Sequence, residues 1–161
     1  MAVSTAGIST LGIKVGYAVG AADTKPSAFT WLERCNQAGG ITLDTEKIDA
    51  SALEDPVSKY IAGRADTGGD WSLSFNISSE VQEQLQDMID AYKAIMSDDT
   101  QVMWFTVWSP FMTDAYFVIA QPPLQIPMPE MGQNELEVVE MTLAVSDYKG
   151  LMAGVEPKET P

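Results

Sequence analysis

Trp71, Leu73, Phe75 and Ile77 alternate with Ser72, Ser74, Asn76 and Ser78. One side of this run is apolar and the other small and polar, the period of a half-buried β-strand. Residues 101–109 (QVMWFTVWS) are aromatic and β-branched on both sides, as in a strand covered on two faces. Residues 115–120 follow across Ser-Pro-Phe-Met-Thr-Asp, so the two runs are expected to form a hairpin. Residues 135–145 predict a long strand with Val139, Met141, Leu143 and Val145 on one side. Weaker strands are expected over 13–19 and from Gly40 to about Ile48.

The period changes to that of a helix once, over about 80–96. At 100° per residue Val81, Leu85, Met88, Ile89, Tyr92, Ile95 and Met96 fall within an arc of about 120°. Glu80, Glu83, Asp87 and Asp90 gather on the opposite side as an acidic stripe. Ser79 with Gln82 three residues later fits a capping box, and Glu80 complements the helix dipole. The stripe reads first as a solvated face and second as a surface for assembly or repulsion.

Two segments break the alternation. Residues 49–70 hold one aromatic, Tyr60, with Pro56, Gly63, Gly68 and Gly69, and connections beyond about 12–15 residues are uncommon in compact domains. A projecting loop or long hairpin is expected there. Residues 121–130 carry four prolines and should cross the surface in extended form. The tail from Glu156 is polar and expected to fray. One domain is expected over 1–148, with 149–161 as a C-terminal tail.

Composition narrows the chemistry. The 161 residues contain no histidine, which removes Ser-His-Asp and Cys-His nucleophilic machinery and His-ligated metals. A single cysteine, Cys35, removes intrachain disulfides. Beside Arg34 and near Trp31 it admits a lowered thiol pKa, with an inert thiol as the simpler reading. Nine Lys and Arg against 23 Asp and Glu give a net charge of −14, unsuited to gripping nucleic acid. The N-terminus has no basic region followed by an uninterrupted apolar run, and the densest apolar stretch is too short to span a bilayer. A cytoplasmic origin is therefore expected.

Catalytic motifs are weak. Asp66-Thr67-Gly68 matches the core of the aspartic-protease signature but reads better as a turn before the strand at Trp71. Glu54-Asp55, Asp98-Asp99 and Asp66 with Asp70 are acid pairs without the spacing of a calcium loop. No enzyme activity, cofactor or metal is expected. Trp71, Trp104 and Trp108 lie on core-like strands, although a ligand- or carbohydrate-binding β-sandwich remains the alternative reading of the aromatics.

The order of features resembles the major tail tube proteins of long-tailed bacteriophages. Ile41-Thr42-Leu43-Asp44-Thr45 leads into an acidic stretch. Ala62-Gly63-Arg64-Ala65-Asp66-Thr67-Gly68-Gly69-Asp70-Trp71 is similar to that family's approach to a strand. One amphipathic helix follows, then an aromatic strand pair, then a terminal Val- and Thr-rich strand over 137–146. The resemblance covers about residues 10–148 and extends to other phage and type VI secretion tube proteins. It implies antiparallel sheets in a β-sandwich or barrel-like fold with one packed helix and projecting loop and terminal arms. It also implies homo-oligomeric rings, typically hexameric, stacked into a tube, with tape-measure, baseplate or tail-tip and tail-terminator proteins as partners. DNA would pass through unbound, no membrane would be involved, and the protein would sit in the virion tail after assembly in the host cytoplasm. An acidic surface suits such a conduit, because carboxylates repel phosphates. Candidate inter-subunit contacts are residues 1–12, the C-terminal tail, and Asp44, Glu46, Lys47, Asp49, Glu54, Asp55, Lys59, Arg64, Asp66 and Asp70. Glu80, Glu83, Asp87 and Asp90 are the candidate acidic surface.

Overall fold

Seven strands and one helix enclose the core in the computed structural model, which describes Gly7 and residues 9–159. The strands are β1 (Lys14–Gly20), β2 (Thr30–Leu32), β3 (Cys35–Ala38), β6 (Asp70–Asn76), β7 (Val102–Trp108), β8 (Asp114–Gln121) and β9 (Val138–Ala153). They form one antiparallel sheet in the order β2-β1-β7-β8-β9-β6-β3. A separate two-stranded ribbon pairs β4 (Asp44–Asp49) with β5 (Tyr60–Asp66).

The sheet's two edges, β2 and β3, are separated in sequence only by Glu33 and Arg34. Such a short link forces the sheet to roll until its edges meet at that corner. Arg34 turns the chain there with φ 60°, and Asn76 N–H donates to Arg34 O at 2.9 Å. β2 and β3 do not hydrogen-bond to each other, so the result is barrel-like without being a closed barrel. β9 supplies much of the curvature. Its first half pairs with β6 and its second half with β8, and the β8 pairing carries two bulges.

The helix α1 (Ser79–Ile95) packs against β1, β2 and β7, and Gln84 Oε1 accepts from Glu33 N–H at 3.0 Å to pin the corner. Val81, Leu85, Met88 and Ile89 meet Trp71, Leu73 and Phe75 of β6 and Val139, Met141 and Leu143 of β9 inside the roll. The alternation expected at 71–78 is thus the inner and outer pleat of β6. The helix begins one residue before the expected start. Ser78, not Ser79, is the cap, accepting from Val81 N–H at 3.3 Å.

β7 is buried on both sides, as its composition requires. Met103 and Phe105 face the helix, while Trp104 faces outward into a second cluster with Phe29, Phe117 and Ile119. That outer cluster is covered by the chain after β9. Lys158 N–H donates to Phe29 O at 3.0 Å and Trp31 N–H donates to Lys158 O at 2.8 Å, extending the sheet past β2. Pro157 is buried against Gly16, where an added Cβ would lie 2.7 Å from the proline Cβ. The tail expected to fray is therefore bound through Lys158, and β9 runs eight residues beyond the expected end at Val145. The strand expected from Gly40 to Ile48 is also corrected. β3 ends at Ala38, β4 starts at Asp44, and the intervening residues are where the ribbon leaves the sheet.

Candidate functional site: the ribbon arm and the mouth of the rolled sheet

β3 leads into β4 and β5 leads into β6, so the four strands are one long hairpin, bent where it leaves the sheet. Gly68 and Gly69, both at φ +82°, allow the bend, a backbone region closed to most L-residues. Asp66 Oδ1 accepts from Gly68 N–H at 2.9 Å, so Asp66-Thr67-Gly68 is an Asx turn. The outer half of the hairpin is the expected projecting segment, and it is a ribbon with a ten-residue end loop over 50–59. Ala50 N–H donates to Lys59 O at 2.8 Å, Asp49 accepts from Ser51 N–H at 2.9 Å, and Lys59 lies 3.3 Å from Asp55. The Ser51 hydrogen bonds hold the Asp49 carboxyl below its ordinary pKa.

Asp44, Glu46, Lys47 and Asp49 lie on β4; Glu54, Asp55 and Lys59 in the loop; Arg64 and Asp66 on β5; and Asp70 opens β6. All are exposed except Asp55, which is half-buried. Asp44 and Asp66 are directly cross-strand, a like-charge pairing that weakens the ribbon. Among the described residues Lys47 and Arg64 make no ion pair. The informative residues here are the apolar ones, which sequence reasoning left aside. Leu53 is 109% exposed, Val57 72%, Tyr60 59% and Ile61 55%. Ile48 and Ile61 stand opposite each other on one face.

At the root of this arm the rolled sheet opens into a hollow of about 330 Å³ lined by Ile41, Trp71, Val107, Tyr116, Val118 and Tyr148. Trp71 donates its indole N–H to Gly39 O at 2.7 Å, fixing one wall. Burial raises the Tyr148 pKa, helped by neighbouring Tyr116. At the other end, between the start of α1 and residues 126–131, a cleft of about 430 Å³ is lined by Ile77, Gln82, Ile126, Met128, Met131 and Val139.

Glu80, Glu83, Asp87 and Asp90 are exposed along α1, with Gln86 Nε2 donating to Asp90 at 3.0 Å. Burial, then the Asp87 charge, raises the Tyr17 pKa under the helix. Asp98 accepts from Thr100 N–H at 2.9 Å and from its hydroxyl, which lowers its pKa. Among the described residues no group of three or more His, Cys, Asp or Glu is placed to hold a metal ion. Burial pushes the Cys35 thiol up to about 11, against the lowered value its neighbour Arg34 suggested. It is a poor nucleophile there. Trp31 and Trp108 are half-buried rather than an open sugar platform, with the Lys14 ammonium 4.7 and 5.7 Å from their ring centres. Lys14 is held in turn by Glu156 at 2.8 Å. Residues 1–6 and 8 of the expected N-terminal contact lie outside the described residues. No helix is long and apolar enough to cross a membrane among the described residues.

No known protein-family pattern matches the chain, and no curated protein does. Among solved structures it is similar to a chain of the anti-feeding prophage baseplate, seen by cryo-electron microscopy with sixfold symmetry imposed. The TM-score is 0.49 and the identity 11%, over 88% of this chain and 92% of that chain.

Proposed function

We propose that this chain is a structural protein of a phage tail or a related injection machine, and within it the subunit of the tail tube. The arm is the observation that carries the reading. An isolated two-stranded ribbon is at best marginally stable in water. This one buries almost nothing against its own chain and exposes Leu53, Val57, Tyr60 and Ile61. Such a surface, on a protein whose remaining core is well satisfied, fits a role between copies. The resemblance of residues 10–148 to tail tube proteins agrees in the order of helix and strands. The subunits form rings that stack into a tube, and an acidic wall lets DNA slide past without binding. Asp44 to Asp70 supply the contacts between rings, and tape-measure, baseplate or tail-tip and terminator proteins bound the tube. The protein resides in the virion tail after assembly in the host cytoplasm.

Deletion of residues 49–65, closed by a short glycine turn, is expected to leave a folded monomer that forms no tubes. Circular dichroism checks the fold and negative-stain microscopy checks the tubes. Normal tubes from the deletion protein would overturn the assignment.

A further inference from the structure

Two unfilled, partly apolar surfaces of the body lie at opposite ends of β6. Trp71, at its start, lines the aromatic mouth, and Ile77, just past its end, lines the cleft under residues 126–131. A seven-residue strand separates them by about 20 Å. Between β8 and β9 the strap over 122–137 has no helix or strand, and it carries Pro122, Pro123, Pro127 and Pro129. Ile126 anchors it to the core, while Met128 is 86% exposed and Met131 65%. Prolines hold such a strap extended, which lowers the entropy lost on docking. Extended proline-rich segments bind aromatic-lined grooves, and thioethers pack well on aromatic rings. The mouth offers Trp71, Tyr116 and Tyr148.

We infer that the strap of one copy docks into the Tyr116–Tyr148 mouth of the next, joining subunits head to tail. The inference rests on the proposed tube function and names the surfaces that meet. Charge favours this pairing over a symmetric one. The strap carries Glu130, Glu135 and Glu137, no Lys or Arg, and no ion pair among the described residues. Strap against strap would oppose these carboxylates. The mouth, in contrast, is lined by no charged residue, so a strap seated there meets no carboxylate of the lining. Two different complementary surfaces at opposite ends generate an open-ended series or a ring, whereas a self-complementary patch stops at a dimer.

The test uses two full-length proteins, one with Met128→Glu and Met131→Glu, the other with Tyr116→Asp and Leu151→Asp. Leu151 is half-exposed and stands cross-strand from Tyr116. Each protein alone is expected to lose assembly at least tenfold in sedimentation velocity, and an equimolar mixture is expected to form dimers through the one intact mouth and one intact strap. Should the mouth variant unfold, Cys35→Ser proteins bearing Met128→Cys and Leu151→Cys are oxidised as a mixture, and the mixed disulfide dimer is expected to dominate. Normal assembly by the strap variant, or no mixed dimer in either format, overturns the inference. Normal strap-variant assembly together with loss of assembly on deleting 49–65 removes this contact and leaves the tube function standing. A wild-type chain that never assembles removes both.

Discussion

The inner and outer halves of the long hairpin share backbone geometry and differ in what their faces meet. In the inner half, β6 places Trp71, Leu73 and Phe75 inside the roll, all but inaccessible to water. In the outer half, β4 and β5 place Ile48, Tyr60 and Ile61 in solvent. Antiparallel pairing runs through both, with one irregular step in each. Pairing alone therefore does not tell a strand that builds the core from one that stands clear of it. The distinction lies in apolar area, since each apolar side chain taken out of water contributes about 1.5–3 kcal/mol. The inner half realises that gain within the chain, and the outer half leaves it unrealised there.

The contrast is broken most strongly from the inside. Phe75→Ala, at 0% exposure, is expected to destabilise the protein by about 3–5 kcal/mol in urea unfolding. Gly16→Ala comes next, because its Cβ would meet Pro157 at 2.7 Å and Thr30 O at 3.0 Å. The close approach predicts a loss of about 1–3 kcal/mol, with earlier hydrogen exchange at Trp31, whose amide is bonded to Lys158. Cys35 gives a smaller, pH-dependent effect. Its folded pKa of about 11 exceeds the ordinary 9.0, so folding holds a proton that the unfolded chain releases. That stability is fully present below pH 9.0 and declines as the pH rises toward 11. Cys35→Ala should flatten the decline, read as the thermal midpoint against pH.

How much of this was legible in the sequence depends on the same contrast. β6, α1 and the β7–β8 hairpin bury a face within the chain, and burial writes a period into the residues, so their types could be read directly. The split between β3 and β4 could not. Ile41-Thr42-Leu43 alternates like a strand, yet the ribbon departs from the sheet there, and only the glycines at 39–40 and 68–69 marked the bend. β9 was cut short because its two bulges against β8 fall over 145–150 and destroy the period of two. The bound tail hid for a different reason. Pro157 is buried by a contact with Gly16, 141 positions away, and Glu156 is held by Lys14, with neither pairing visible in local pattern. Of the candidate site, the sequence located the projecting segment and its charges but not that Leu53, Val57, Tyr60 and Ile61 on it stay exposed. The mouth was not legible, since Ile41, Trp71, Tyr116 and Tyr148 converge only once the sheet has rolled.

The central claim is that the outer ribbon serves contacts between copies and contributes little to the fold. The most direct measurement pairs sedimentation velocity with urea unfolding on the Ile48→Ser/Ile61→Ser protein. The account predicts an unfolding free energy within about 0.5 kcal/mol of wild type, as for exposed sites, together with loss of the assembled species that the wild-type chain forms. Assembly equal to wild type, or destabilisation on the scale of Phe75→Ala, would contradict it.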